Sequence, residues 1–277
     1  MPIFTAPDGT RLAYHLRGAG EPLVVLPGGP MRASAYLGDL GGLDAHRQLV
    51  LLDLRGTGES EKPADPGSYR CDRLVDDVEA LRRHLGLERM DVLAHSAGGS
   101  LAMLYAARHP ERLGRLALVT AIPWALGLPA TAADRLAAAR LRASEPWFPD
   151  AFPAFEAWLD GTGDFDPVFV PFFHGRWDDT ARAHADCEET ETNDEAAEVY
   201  GGDGAYDPAA TRSALARVRT PVLVLAGEVD GGPDPSLARR AADAFPAAEF
   251  AVQPGAGHYP WLDDPQAFTR RVATFFS

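Results

Sequence analysis

Seven short apolar runs, and the helical patterns that separate them, most limit what this chain can fold into. The runs are TRLAYHLRG (from Thr10), PLVVLP (from Pro22), RQLVLLDL (from Arg47), MDVLAHS (from Met90), RLALVTAI (from Arg115), PVLVLAGE (from Pro221) and EFAVQPGAG (from Glu249). Runs of this length, rich in leucine and β-branched residues, predict strands. Between them, CDRLVDDVEALRRHLGL carries Leu74, Val78, Leu81 and Leu85 at helical spacing, with acids early, arginines late and Gly86 at its end. That charge order suits the helix dipole. SLAMLYAARHP, stopped by Pro110, and the later PSLARRAADAFP and PQAFTRRVATFF have the same character. A strand must cross over to reach a parallel neighbour, and a helix does this while covering the sheet. The alternation therefore predicts an α/β fold, with a mostly parallel sheet between helices on both faces.

The rhythm breaks between Pro123 and Asp207, where aromatics, prolines and acids replace it. This predicts a core built from residues 1–122 and 208–277, with a mainly helical insertion over 123–207. The 277 residues and 46% apolar content allow a sizeable core, which excludes disorder as the main state. A formal charge of -14 argues against nucleic acid or an anionic membrane as partner, because both need a basic face. Cys71 and Cys187 are too few for a disulfide framework and fit no close-spaced zinc pattern, so no metal is expected. With no apolar stretch long enough to span a membrane and no basic-then-apolar start, the expectation is a cytoplasmic protein.

Four loops carry the candidate chemistry. In AHSAGGS, Ser96 stands between a strand and a helix, with Ala94 two before it and Gly98 two after. Small neighbours let a sharp turn push the serine hydroxyl clear of the sheet and point the next amide, Ala97 N–H, toward it. An ordinary helix N-cap is the plain alternative for a serine here. LPGGPM follows a strand, and Gly29 is its best second amide because Pro27 and Pro30 have no N–H. GEVDGGP places Asp230 in the loop after another strand, with Glu228 as the fallback acid, and GAGHYPW places His258 among glycines after the last strand. All four lie at C-terminal strand ends, where open α/β sheets bind ligands, in the chain order Ser, Asp, His. A serine is a poor nucleophile until an adjacent base takes its proton, and an acid fixes the tautomer of that base. The expected site is Ser96, His258 and Asp230, with Gly29 and Ala97 as oxyanion donors and no cofactor. His95 is expected to pack, or to support the site from behind. Asp53, Arg55, Gly56 and Gly58 of DLRGTGES are expected to tie loops together.

These residues resemble the α/β-hydrolase family along the whole chain, with the insertion in the place of that family's cap. GGP followed by DLRGTGES resembles the proline iminopeptidase branch, with Pro27, Met31, Ala94 and Ala97 departing from its pattern. The resemblance implies a serine peptidase releasing a small N-terminal residue from a short peptide or amide. The departures keep open an esterase or lactonase with the same triad, or a receptor of this fold with little turnover. From Asp178 to Asp207 there are eleven acids against one arginine, Arg182. The branch uses cap glutamates for the substrate's ammonium group, which nominates Glu195 and Glu198; a solvated acidic face is the alternative. Trp147, Phe148, Phe152, Phe155, Trp158, Phe172, Phe173 and Trp177 are expected between insertion and core, some of them walling a pocket.

Overall fold

The computed structural model describes all 277 residues. Its strands are β1 (Ile3–Thr5), β2 (Arg11–Arg17), β3 (Pro22–Leu26), β4 (Gln48–Leu52), β5 (Met90–His95), β6 (Leu113–Val119), β7 (Val222–Gly227) and β8 (Ala248–Gln253). They form one sheet in the order β1-β2-β4-β3-β5-β6-β7-β8. β1 with β2 and β2 with β4 are antiparallel; all other neighbours are parallel. Each of the seven apolar runs forms a strand, and the three-residue β1 is an addition to them.

The helices are α1 (Cys71–His84), α2 (Gly98–Arg108), α3 (Ala132–Arg140), α4 (Phe148–Asp160), α5 (Asp179–Asp186), α6 (Glu188–Glu191), α7 (Asp194–Tyr200), α8 (Pro208–Leu215), α9 (Pro235–Ala242), α10 (Pro260–Asp263) and α11 (Pro265–Phe276). Successive strand residues point to opposite faces, and this alternation builds two cores. Val24, Val50, Val92 and Val224 join Leu74 of α1, Leu101 of α2, Leu215 of α8 and Ala238 of α9 on one face. Leu23, Leu49, Leu93 and Leu223 meet Phe268 and Val272 of α11 on the other, with Tyr36 and Leu37 from the turn Ser34–Leu37. Burying one such leucine contributes roughly 1.5 to 3 kcal/mol, so a sheet covered on both faces gains twice from each strand. Aspartates punctuate the returns to the sheet. Asp234 and Asp264 accept from the amides of Leu237 and Ala267, and each is followed by a proline in the first turn of α9 or α11.

Residues 123–207 hold α3 to α7 and contribute no strand to the sheet. The aromatic expectation holds for Phe173, which packs against the sheet-side core, and needs correction for most of the other rings. Phe155, Phe169 and Phe172 close a small core with Ala139 and Ala151 inside the insertion itself, with Trp147, Phe148, Phe152 and Trp158 packed around it. The rings fill this segment because its helices pack on one another and must supply a core of their own. Asp53 and Arg55 tie loops through separate partners: Asp53 accepts from the Ser34 amide and hydroxyl, whereas Arg55 pairs with Asp77 and Asp8. No helix is long and apolar enough to cross a membrane.

Candidate active site

Because β3, β5, β7 and β8 run parallel, the loops leaving them open on the same edge of the sheet. Ser96 follows β5 directly and has a φ of 53°, in the left-handed region that a residue with a Cβ avoids. The turn is held by three backbone bonds: Ser96 N–H donates to Val119 O at 3.1 Å, and Ser96 O accepts from Gly99 and Ile122 at 2.9 Å each. Two glycines have no substitute beside it. A Cβ on Gly28 would come within 2.6 Å of the Ser96 Cβ, and one on Gly98 would meet the Leu26 carbonyl at 2.7 Å. The glycine two after Ser96 is thus a requirement of the chain leaving strand β3 alongside.

His258 Nε2 lies 2.8 Å from Ser96 Oγ, and His258 Nδ1 lies 2.8 Å from Asp230 Oδ2. Asp230 is wholly buried, and its other oxygen accepts from Gly232 N–H at 2.7 Å. With the carboxylate on Nδ1–H, the imidazole keeps Nε2 as an acceptor for the serine hydroxyl. Glu228 turns elsewhere, accepting from Gly255 N–H at 2.7 Å on the surface. The amides of Gly29 and Ala97 donate to no acceptor within the protein, and Gly29 shares a cavity with Ser96 and His258.

A second hydrogen-bond line, not legible in the sequence, joins the loop after β3 to the backbone of His258. Gly28 N–H donates to Tyr36 Oη at 2.7 Å, and Tyr36 Oη lies 2.7 Å from His95 Nδ1. His95 Nε2 then reaches His258 O at 2.9 Å, where Thr120 Oγ1 also donates at 2.8 Å. Burial, reinforced by the neighbouring His258, holds His95 well below its ordinary pKa. It is therefore neutral, accepting from the tyrosine at Nδ1 and donating from Nε2–H. His95 supports the histidine backbone and does not merely fill space.

Nearby, burial followed by the charges of His184 and His258 pushes His174 down to about 3, and burial followed by Arg32 pushes His184 down to about 4. Unfolded, both bind a proton near pH 6.5. The unfolded chain then holds more protons than the native one below that pH. Stability is fully present above pH 6.5 and is lost as pH falls toward 4 and then 3. His174→Phe, which keeps a ring against Tyr259, is expected to flatten this acid limb. Urea unfolding at pH 7 and pH 4.5 checks it; an equal drop in both proteins would mean that other groups set the limb.

The cavity over Ser96 measures ≈ 440 Å³ and is walled by apolar residues including Trp124, Trp158, Phe165 and Phe173. Its charged walls are Arg32, Arg135 and Glu188. Arg32 is held by Glu191 at 2.8 Å and Glu188 at 3.5 Å. The sequence nominated Glu195 and Glu198 for this cavity, and neither lines it. They sit three apart on α7, on its exposed face, whereas Ala196 and Tyr200, four apart, face inward. Tyr200 Oη donates to Ala97 O at 2.9 Å, so the apolar side of α7 is spent on docking beside the Ser96 turn. The lining acid that sequence reasoning missed is Glu188. No group of three His, Cys, Asp or Glu side chains is placed to hold a metal ion.

The family model of the alpha/beta hydrolase fold matches residues 21–265, from strand β3 to the start of α11. The chain belongs to the α/β-hydrolase family. Among curated relatives, it is 37% identical over 98 residues to a proline iminopeptidase of Heyndrickxia coagulans. That match covers 35% of this chain and 34% of the relative, so the chain spans about a third of that protein's length. Two solved structures are similar over nearly the whole chain. The esterase RhEst1 from a Rhodococcus species superposes with a TM-score of 0.75 at 26% identity, covering 99% of this chain and 97% of that one. The proline iminopeptidase of Mycobacterium smegmatis superposes with a TM-score of 0.74 at 27% identity and the same coverage. The family is one of hydrolases, and both the ester-cleaving and the peptide-cleaving kinds stand among the similar proteins.

Proposed function

We propose that the protein is a serine hydrolase cleaving small carboxylic esters through an acyl-enzyme on Ser96, with residues 123–207 capping a core of residues 1–122 and 208–277. The observation that carries this reading is the continuous line from Ser96 Oγ through His258 to buried Asp230, 2.8 Å at each link. As Ser96 Oγ bonds to the ester carbonyl carbon, His258 Nε2 takes the hydroxyl proton. The free Gly29 and Ala97 amides receive the charge that builds on the carbonyl oxygen. The carbon–alkoxy bond then breaks, and His258 returns the proton to the departing alcohol. Water attacks the acyl-Ser96 carbon and gives its proton to His258. The acyl carbon–Oγ bond then breaks, His258 returns that proton to Ser96 Oγ, and the acid leaves with Ser96 and neutral His258 restored.

The charges of the cavity favour an ester over a substrate with a free amine. A substrate ammonium would have to settle among Arg32 and Arg135, and the one lining acid, Glu188, already faces Arg32. Glu188 is also the observation that favours a second reading, an iminopeptidase, since it is the only acid placed to meet an amine there. Turnover of 4-nitrophenyl valerate against prolyl-4-nitroanilide tests the choice. The ester is expected to exceed the anilide at least tenfold in kcat/KM. A preference for the anilide, abolished by N-acetylation, would move the assignment to the peptidase. No turnover of either, with intact binding, would leave a receptor of this fold.

A further inference from the structure

We propose that Arg135 is a specificity-determining residue that binds a free carboxylate of the substrate, so that anionic esters, such as half-esters of dicarboxylic acids, are the preferred class. This rests on the ester-hydrolase reading of the same cavity. Arg135 stands on α3 and lines the cavity together with Ser96. Its guanidinium lies over the Trp158 ring, 4.8 Å from the centroid, and its Nε–H donates to Gly231 O at 2.8 Å. These two contacts fix the plane and use one of the five N–H donors. The Nη1–Nη2 end makes no hydrogen bond to the protein, and no carboxylate pairs with it.

The acids around it are committed elsewhere. Asp230, whose charge Arg135 feels, is held by His258 and Gly232. Glu188 faces Arg32. Arg32 is thereby neutralised and Arg135 is not, in a chain with a formal charge of -14 where acids outnumber bases 40 to 26. An arginine kept without a carboxylate partner in so acidic a protein, stacked and oriented inside a cavity, presents the planar fork that matches a carboxylate with two parallel bonds. The apolar rings of Trp158 and Phe173 beside it suit a short methylene chain joining that carboxylate to the ester carbonyl.

The test compares 4-nitrophenyl hydrogen glutarate with 4-nitrophenyl valerate, which have acyl chains of equal length and differ in the terminal carboxylate, using the Ser96→Ala protein as the background. The wild type is expected to favour the glutarate at least tenfold in kcat/KM. Arg135→Gln should lower the glutarate-to-valerate ratio about 10- to 150-fold, mainly through KM, because a charge-assisted pair is lost. Arg135→Lys should restore part of the ratio. Independently of any variant, glutarate should inhibit valerate hydrolysis competitively where pentane-1,5-diol does not. A wild type that prefers valerate, a ratio unchanged in Arg135→Gln, or no inhibition by glutarate would overturn the proposal. Those results leave Ser96-dependent valerate hydrolysis intact, whereas failure of the ester-hydrolase reading appears as valerate turnover that is absent in the wild type or survives in Ser96→Ala.

Discussion

Ser96→Ala is expected to lower kcat about 10⁶-fold on the best ester substrate while leaving the fold and KM nearly unchanged. The size follows from what is removed. The variant has no atom at Oγ to bond to the carbonyl carbon, and His258 Nε2, 2.8 Å away in the native protein, loses its proton donor. What remains is the rate that binding and the free amides of Gly29 and Ala97 supply to direct attack by water. The substitution is mild for the structure. An alanine keeps the Cβ that Gly28 accommodates, and the three backbone bonds that pin the turn do not involve the hydroxyl. Steady-state kinetics with circular dichroism as the fold control reads the effect. Near-normal turnover would place the chemistry elsewhere.

Asp230→Asn should cost about 10⁴-fold in kcat, a loss caused by the wrong histidine tautomer. An amide on Nδ1 can donate where the carboxylate accepts, which drives the ring proton to Nε2 and removes the acceptor for Ser96. The side chain is wholly buried and holds the Gly232 amide with its other oxygen, so the geometry survives the change and only the proton arrangement alters. Glu228→Gln, on a surface acid that meets only Gly255, should change kcat less than threefold, within the roughly ±0.5 kcal/mol scale of ordinary surface changes. A severe loss at Glu228 with a mild one at Asp230 would reverse the two roles.

The parts of this protein that local sequence determines are the ones that could be read from it. A strand buried on both faces must be apolar along its length, so β3, β5, β6 and β7 stand out; β1, with one buried residue in three, does not. The loops holding Ser96, Asp230 and His258 carry glycines because backbones pass close by, and each follows a readable strand. The substrate-facing groups lack such marks. Arg135 lies within an alanine-rich helix and reads as a surface cation; its burial comes from how the aromatic core of the insertion folds over the cavity. Glu188 and Glu195 are seven apart in one acidic run, and contacts distant in sequence set their sides: Ala33 N–H on Glu191 O and the Arg32 pairs hold α6 at the cavity, whereas Tyr200 docks α7 on Ala97. Likewise, the Tyr36–His95–His258 line joins residues distant in sequence, and no spacing rule announces it.

The most direct measurement of the central claim is the site at which a fluorophosphonate attaches, read by peptide mass spectrometry on the wild type and on His258→Ala. Only a hydroxyl activated by an adjacent base reacts quickly with such an electrophile. The expected result is a single adduct on Ser96 that forms within minutes and is lost in His258→Ala. An adduct on another serine, or labelling of Ser96 that proceeds equally fast without His258, would contradict a Ser96–His258–Asp230 site.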